Sequence, residues 1–428
     1  MRTLFFALLA LVVLAGCETG MDHRAPVIGT ADGRPQSEQA QTSSPFPSSE
    51  SMINGANTVM GGAQPPLVQQ GGAVVAGNFA EPVRVAILVP QSGSNAAMGQ
   101  ALLQAAQLAV FDLNELNFQL IPKDTMGTPE GARMAVDQAA RDGARLILGP
   151  LFSQEVTAAK DAARAYGLTV IGFSTDWRTA GGNVYSMGVL PFEQAQRIAR
   201  YAAQQGLKRV GVIAPRDMYG DAVLSVFQTE AARAGITVVK TVRIAADGSD
   251  APQGVQQLTG GQAMISGRLP YDAIFMPVGA PVVLTLASAL RQYGLGANAV
   301  RYLGTGLWDD PAVTRDPTMN GAIYAAPSPQ LRATFERNYQ HIYGQTPPRL
   351  ASIGYDAAAL AVVLARNAAQ SGQRVSYDQA ALTNPNGFSG VDGIFRFGPN
   401  GLADRGMAVL QINNGTVRVV EPAPNTFQ

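Results

Sequence analysis

The stretch that decides the fold is residues 145–157, RLILGPLFSQEVT. Its apolar run, 146–148, is short and unbroken, which is typical of a buried parallel strand. A Gly-Pro pair ends this strand, and Ser153 stands just before an Ala-rich segment with helical character, 156–166. A strand, a break and a helix start together indicate the carboxyl edge of an open α/β sheet, where ligands usually bind.

Two roles are open for Ser153. Free amides at the start of a helix attract an anion, and the Ser153 hydroxyl would join them in binding a ligand. The same hydroxyl would equally serve as the N-cap of the helix and do nothing more. Taken alone, the stretch favours the N-cap.

Composition excludes several classes of protein. The chain has 428 residues, enough for two domains, and its charged residues make up only 14% and balance to a net charge of zero. This balance argues against a surface that binds nucleic acid. With two histidines and one cysteine, a His/Cys metal site is nearly excluded, and no cofactor is expected.

The sequence also lacks catalytic signatures. It has no phosphate-binding loop with Lys, no GxGxxG after the first strand, no HExxH and no GxSxG. His341 stands beside Tyr343 in a predicted helix and suits packing better than general-base catalysis. Asp309 and Asp310 are adjacent carboxylates, but Pro311 after them indicates helix capping. We therefore expect no enzyme and no catalytic residue.

Residues 1–16 have the pattern of a lipoprotein signal peptide. Their apolar core, 4–15, is too short to span a membrane, and the segment 14–17, LAGC, resembles a bacterial lipobox. The resemblance implies cleavage before Cys17, a diacylglycerol on its sulfur and acylation of the new amino group, which together anchor a protein stably. Glu18 follows, which by the enteric sorting rule implies the outer membrane, with inner-membrane anchoring as the alternative.

Residues 17–81 are predicted to form a disordered tether that begins with the lipidated cysteine. They are rich in Gly, Ser, Pro, Gln and Ala and have no apolar period, so they cannot bury a core. Such a coil has ends roughly 45 Å apart on average and reaches about 200 Å when stretched. No later apolar segment is long enough to span a membrane, so the lipid is the only membrane contact expected.

From residue 82 onward, strands and helices alternate with short loops, which predicts doubly wound parallel sheets. The alternation restarts near residue 191, so we expect two lobes with a cleft and a hinge between them. Lobe 1 is predicted at about 82–190 and 328–386, and lobe 2 at about 191–327 and 387–428. An Asn-Gly pair at 414–415 predicts a final hairpin.

Polar residues follow the predicted strands of both lobes, where a cleft would lie. The candidate ligand-binding residues are Ser92, Ser153, Ser174, Thr175, Tyr219, Trp308 and Asp309. Hydroxyls and free amides from lobe 1 suit a carboxylate. An acid and an aromatic ring from lobe 2 suit an ammonium group and an apolar side chain.

Six short segments, taken in their order along the chain, resemble those of the type I periplasmic-binding proteins of the branched-chain amino acid receptor kind. The segments that carry the resemblance are VPQSG at 89–93, ILGP at 147–150, VIGFST at 170–175, DMYG at 217–220, GYDAA at 354–358 and GVDG at 390–393. The resemblance implies that Ser153, with Ser174 or Thr175, holds a ligand carboxylate. It also implies that Tyr219 closes over the ligand and that Asp309 lies near the acceptor of an ammonium group.

The lipobox and the segment 149–156, GPLFSQEV, look most like the penicillin-binding protein activator lipoproteins within that family. This implies a lipoprotein on the periplasmic face of the outer membrane that stimulates a bifunctional peptidoglycan synthase. The enteric activators carry a helical-repeat domain where this chain has only the tether. The alternative is a receptor that delivers amino acids or short peptides to an ABC transporter permease, which Ser153, Ser174 and Tyr219 favour.

Overall fold

The computed structural model describes residues 81–115, 117–262 and 270–427. The predicted signal peptide, the lipidated Cys17 and the tether lie outside the described residues. Within these ranges, none of the helices has both the length and the apolar character that crossing a membrane requires.

Fifteen strands are found in the described residues. In chain order they are β1 (Val83–Val89), β2 (Phe118–Asp124), β3 (Leu146–Leu148), β4 (Thr169–Gly172), β5 (Val184–Ser186), β6 (Arg209–Pro215), β7 (Thr237–Ile244), β8 (Ala273–Phe275), β9 (Arg301–Gly304), β10 (Ile323–Ala326), β11 (Phe388–Gly390), β12 (Gly393–Phe397), β13 (Ala403–Arg405), β14 (Ala408–Asn413) and β15 (Thr416–Glu421).

Eleven α-helices alternate with these strands in the described residues. In chain order they are α1 (Ala96–Leu113), α2 (Pro129–Arg141), α3 (Ser153–Ala165), α4 (Pro191–Gln204), α5 (Met218–Arg233), α6 (Ala251–Thr259), α7 (Val282–Gln292), α8 (Pro311–Thr314), α9 (Pro329–Tyr343), α10 (Ala351–Gln370) and α11 (Gln379–Leu382).

The first lobe is built on a parallel sheet of five strands in the order β2-β1-β3-β4-β5. Successive side chains of a strand point to opposite faces. Accordingly, Val85 and Ile87 of β1 pack in one apolar cluster with α1 and α10, whereas Ala86 and Leu88 pack in another with α2 and α3. The sheet is therefore covered by helices on both faces. Gly354 lets α10 approach α1, because a Cβ there would lie 2.5 Å from a backbone oxygen of α1.

The second lobe is built on a sheet of seven strands in the order β15-β14-β10-β9-β8-β6-β7. The strands from β7 to β10 are parallel, and the hairpin β14–β15 extends the sheet in the antiparallel sense. The Asn-Gly pair turns this hairpin, with positive φ at both Asn414 and Gly415. Helices α4 and α5 cover one face and α6 and α7 the other. This architecture confirms the predicted two-lobed α/β fold.

The strands β11, β12 and β13 form a small antiparallel sheet of their own. Its buried residues Phe395, Phe397 and Ala403 pack in the apolar cluster of α1 and α10, on the first lobe. The lobe boundaries predicted from the sequence assign these three strands to lobe 2, and those boundaries stay a prediction. The chain thus passes between the lobes several times before it ends in the second sheet.

Candidate functional site

On the first lobe, the candidate residues lie on loops that follow three neighbouring strands. Ser92 follows β1, Ser153 follows β3, and Ser174 and Thr175 follow β4. Because the strands are parallel, these loops leave the sheet at one edge. Gly149 fixes the path after β3: its φ is +84°, and a Cβ there would lie 2.2 Å from a backbone oxygen of β1.

Ser153 is the first residue of α3 rather than its N-cap, so the N-cap role proposed from the sequence is wrong. The cap is Phe152, whose amide donates to Glu155 Oε2 at 3.0 Å. Glu155, the third residue of the helix, thus makes the half of a capping box in which its carboxylate accepts from the N-cap amide. Among the described residues, this hydroxyl hydrogen-bonds to no neighbour, whereas the Ser153 carbonyl accepts from Thr157 at 3.0 Å. The hydroxyl is therefore available at the helix start.

Two acids, Glu155 and Asp124, accept hydrogen bonds from the loops at this edge. Burial raises the pKa of Glu155, and hydrogen bonds from Thr125 and the Phe152 amide offset part of the rise. Burial also acts to raise the pKa of Asp124, but the hydrogen bonds it accepts outweigh this and lower it. Both carboxylates are thus engaged by donors of their own lobe.

Ser92 is engaged by one of these acids. Its hydroxyl donates to Asp124 Oδ2 at 2.6 Å, and the amides of Gln91 and Met126 donate to Asp124 Oδ1 at 2.8 and 2.7 Å. The loop after β1 therefore directs its donors toward a carboxylate of the protein. Ser92 lies at the predicted edge, with its hydroxyl already in use.

Ser174 and Thr175 differ in exposure. Ser174 is 8% exposed, its hydroxyl accepts from the Asp176 amide at 3.1 Å, and its carbonyl accepts from Ser186 Oγ at 2.9 Å. Thr175, next in the chain, is exposed. The turn after β4 is thus held by the Ser174 hydroxyl, and Thr175 has the more exposed side chain of the two.

On the second lobe, Tyr219 connects two loops of the same edge. It lies in the first turn of α5, after β6, and its hydroxyl is 3.2 Å from Thr305 Oγ1, in the loop after β9. Burial raises the pKa of Tyr219 to about 12, with the Thr305 hydrogen bond acting in the opposite direction. The phenol is therefore protonated at neutral pH.

Trp308 lies in the core of the second lobe, not at its surface. It has no exposed surface, and its indole Nε1 donates to the Val278 carbonyl at 2.9 Å. Gly304 leaves room for the ring, because a Cβ there would lie 2.3 Å from it. Trp308 therefore has no exposed surface to offer a ligand in this conformation, and its role as a ligand contact stays a prediction.

Asp309 is held by two arginines. Its Oδ2 lies 3.5 Å from Arg332 Nη1 and 3.4 Å from Arg349 Nε, and Tyr324 donates to its Oδ1 at 3.4 Å. Arg332 belongs to α9, and Arg349 lies two residues before α10, which packs on the first lobe. Asp309 thus takes part in an ionic contact between the second lobe and helices that return to the first.

The sequence analysis missed both arginines and the buried acid behind them. Arg349 Nη1 lies 3.1 Å from Asp392 Oδ2, which also accepts from Ser352 Oγ at 2.7 Å, and Asp392 has no exposed surface. Burial acts to raise the pKa of Asp392, but Arg349, Arg405 and Ser352 outweigh this and lower it. The signal for this site in the sequence was Asp392, the acid of the segment GVDG at 390–393, in a tail rich in apolar residues.

The sequence analysis also missed four apolar side chains on loops that follow strands of both lobes. Met126, Phe152, Met218 and Leu307 are between 36% and 51% exposed. They follow β2, β3, β6 and β9 respectively. Arg178, which follows β4 on the first lobe, donates to Met218 Sδ at 3.5 Å, so the segment after β4 meets the start of α5 across the lobes. We call these four residues the apolar lip.

Two cavities lie away from the strand-end loops. One, of about 450 Å³, is lined in part by Glu193 and Arg396, and the other, of about 610 Å³, in part by Tyr201 and Arg301. Neither is lined by a candidate ligand-binding residue. Within the described ranges, no group of three His, Cys, Asp or Glu residues is placed to hold a metal ion.

The two lobes and their strand-end loops define a two-lobed binding protein. A family model described as "Periplasmic binding protein" matches residues 82–416, so the chain belongs to this family. This confirms the family resemblance found in the sequence. Members of this family and its structural neighbours are substrate-binding proteins, and the family implies a periplasmic location.

Two curated proteins match parts of the chain. It is 31% identical over 91 residues to the penicillin-binding protein activator LpoA of Pectobacterium parmentieri, covering 21% of this chain and 13% of that protein. It is 26% identical over 176 residues to the Leu/Ile/Val-binding protein BraC3 of Rhizobium johnstonii, covering 37% of this chain and 46% of that protein. The chain therefore spans less than half the length of each.

A solved structure shares the fold at greater coverage. The branched-chain amino acid ABC transporter periplasmic ligand-binding protein of Burkholderia xenovorans superposes with a TM-score of 0.64 at 17% identity. The superposition covers 80% of this chain and 95% of that one. At this identity, the likeness shows the fold alone.

Proposed function

We propose that this protein is a non-enzymatic lipoprotein of the periplasm that activates a peptidoglycan synthase by binding it. The observation that carries the proposal is the engagement of Asp309 by Arg332 and Arg349. An amino-acid receptor needs an open acid for the ligand ammonium, and the acid at this place is already paired. The pairing of Asp309 therefore argues against amino-acid delivery and supports a regulator.

One of the two sequence likenesses supports the same function, and the other, to a Leu/Ile/Val-binding protein, supports the second candidate below. The 91-residue match is to a protein whose name states that it activates a penicillin-binding protein. The lipobox at Cys17 and the tether of residues 17–81 would anchor the body at the outer membrane and let it reach a synthase of the inner membrane. No helical-repeat domain is predicted between the tether and the body, so the contact with the synthase would be made by the two-lobed body or by the tether.

The test is a reconstitution with the full-length lipoprotein in detergent micelles and a purified bifunctional peptidoglycan synthase from the same bacterium. We expect co-purification of the two proteins and faster glycan polymerisation or cross-linking. A Ser153→Ala variant serves as a matched control, because it alters the cleft and leaves the rest of the surface intact. No co-purification and no change in the rate of synthesis would contradict the proposed function.

A second candidate is a receptor for amino acids or short peptides that serves an ABC transporter permease. The observations in its favour are the available Ser153 hydroxyl at the start of α3 and the exposed Thr175 after the neighbouring strand β4. A ligand at a hundred times its dissociation constant adds about 2.7 kcal/mol of stability, which raises the unfolding midpoint by several degrees. A rise with leucine or a short peptide, lost in Ser153→Ala, would favour this candidate.

A further inference from the structure

We propose that the cavity of about 610 Å³ on the second lobe is a further binding site, which takes a polar ligand that carries an oxyanion, either a carboxylate or a phosphate. Arg301 and Arg418 are the residues that bind the oxyanion. The site is separate from the strand-end loops of the two lobes, and binding there does not require a synthase partner.

The cavity lies at the amino edge of the second sheet. Two of its wall residues, Arg301 and Ile323, are the first residues of β9 and β10, and Tyr201 reaches it from the last turn of α4. Because β9 and β10 are parallel, this is the edge opposite to the one where their loops leave the sheet. A ligand in the cavity would therefore leave the apolar lip uncovered.

The two arginines reach the cavity from one row of residues across the sheet. Gln411 of β14 pairs with Ile323 on one side and with Arg418 of β15 on the other. Arg301 stands two residues before Leu303, which is the partner of Ile323. Paired residues share a face, and so do residues two apart on a strand. Both guanidinium groups therefore lie on the face that α4 covers, and both line the cavity.

In the part of the chain that the structure describes, no acid lines this cavity or pairs with either arginine. The acids on the neighbouring strands have other partners. Glu421 Oε1 of β15 lies 2.6 Å from Arg197 Nη1. Asp272, whose carbonyl accepts from the Arg301 amide, has its Oδ1 2.7 Å from Arg209 Nη2. The positive charge at the cavity is therefore not neutralised by these carboxylates.

Uncharged acceptors hold the two guanidinium groups in place. Arg301 Nη1 donates to the Gly321 carbonyl at 3.0 Å. Arg418 donates from Nε and Nη2 to Gln411 Oε1, at 2.9 and 2.5 Å. A guanidinium has five N–H donors, so each arginine keeps donors for a ligand. Carboxylate and phosphate are the acceptors that match such a fork, since hydrogen bonds between opposite charges are the strongest.

Tyr201 shows that both charges act on the cavity. Its side chain is 7% exposed, and burial raises its pKa, whereas the charges of Arg301 and Arg418 act to lower it and that of Glu421 to raise it. The phenol is protonated at neutral pH and, with Gln205, offers hydrogen bonds to hydroxyl groups of a ligand. The volume suits a small molecule. The ligand class is therefore a hydroxyl-bearing oxyanion.

Three sugars test the proposal on the full-length lipoprotein in detergent micelles. Glucose, glucuronate and glucose 6-phosphate differ only at carbon 6, which carries a hydroxyl, a carboxylate or a phosphate. By calorimetry at low ionic strength, we expect at least one of the two anions to bind at least about tenfold more tightly than glucose. The tighter of the two anions then identifies the oxyanion. Equal binding of all three sugars, or binding of neither anion, would overturn the proposal.

Variants of the two arginines locate the binding. Arg301→Gln and Arg418→Gln should each weaken binding of the preferred anion by at least about tenfold. Arg418 is exposed, so Arg418→Gln should keep the unfolding midpoint of the ligand-free protein. Arg337→Gln is the matched control, because Arg337 is an exposed residue of α9 outside the cavity wall. Binding that is unchanged in both cavity variants, or weakened equally in the control, would contradict the assignment.

Discussion

On the first lobe, the Ser153 hydroxyl and the first-turn amides of α3 remain available, whereas on the second lobe the Trp308 indole and the Asp309 carboxylate have partners inside the protein. Both sets of residues follow strands at the carboxyl edge of a parallel sheet. The difference teaches that position at this edge does not make a polar group free to bind a ligand. What decides is whether the protein itself supplies the hydrogen-bond or ionic partner.

The largest effect is expected when the ionic contacts of Arg349, which join Asp309 of the second lobe to Asp392, are broken. Arg349→Leu leaves Asp392 buried with one donor fewer, and we expect a loss of about 3 kcal/mol in the free energy of unfolding, measured with urea. Arg396→Leu is the matched control, because Arg396 and its partner Asp404 are 37% and 45% exposed and such pairs contribute less than about 1 kcal/mol. Equal losses of stability in the two variants would mean that the Arg349 contact stabilises the protein no more than the exposed Arg396 pair does.

The burial of Trp308 is tested at the glycine beneath its ring. Gly304→Ala places a methyl group 2.3 Å from the indole, and we expect it to destabilise the protein by about 1 to 3 kcal/mol. Gly279→Ala, whose nearest neighbours are 3.6 Å away, should cost about 0.5 kcal/mol or less. A harmless Gly304→Ala would show that the indole can leave the core, which would return Trp308 to the set of candidate ligand contacts.

The pKa shifts of Asp124 and Glu155 on the first lobe are tested by measuring the free energy of unfolding at different pH values. The folded pKa of Asp124 is lowered, so its ionised form stabilises the protein above the unfolded pKa of about 3.9, and this contribution is lost as pH falls through the folded pKa. We expect Asp124→Asn to cost about 1 to 2 kcal/mol at pH 7 and almost nothing near pH 2, measured by urea unfolding.

Glu155→Gln is the companion variant, with the opposite trend. Because the folded pKa of Glu155 is raised, the wild-type protein loses stability as pH rises above the unfolded pKa of about 4.3. The glutamine keeps an acceptor for the Phe152 amide and has no charge to bury, so the variant should lack this loss. Parallel pH profiles for the two variants would contradict the assignment of opposite shifts.

The smallest effect is expected at Ser153. Since its hydroxyl hydrogen-bonds to no neighbour within the described ranges, Ser153→Ala should change the free energy of unfolding by less than about 0.5 kcal/mol. Ser174→Ala should cost about 1 kcal/mol, because the Asp176 amide loses its acceptor. A larger loss at Ser153 than at Ser174 would reverse the comparison between an available hydroxyl and an engaged one.

Local patterns predicted most of the fold. The strand at 146–148 has the bounds that the sequence predicts, since it is an apolar run ended by a Gly-Pro pair. The Asn-Gly pair at 414–415 turns the predicted hairpin. The helix predicted at 156–166 begins three residues earlier, at Ser153, and ends at Ala165.

The candidate site was less predictable, for a different physical reason. Residue types at strand ends are visible in the sequence, but their partners are not. The Trp308 indole finds its acceptor 30 residues away, and Ser352 finds Asp392 at a separation of 40. Such pairs follow from the packing of whole elements, and no spacing rule relates them. The sequence therefore predicted where the polar residues lie and not which of them are occupied.

The return of α9 and α10 to the first lobe has a consequence for the order of folding. Tyr355 donates to Asp112 across 243 residues, and Arg366 donates to Glu115 across 251. Folding is slow when loops of this length must close, because the chain loses conformational entropy before the stabilising contacts form. While a chain is being exported, the apolar side of α1 has no cover until nearly all residues have emerged. The first lobe would therefore stay incomplete until α9 and α10 have emerged, although its sheet comes first in the chain, and a holding chaperone would have most work to do there.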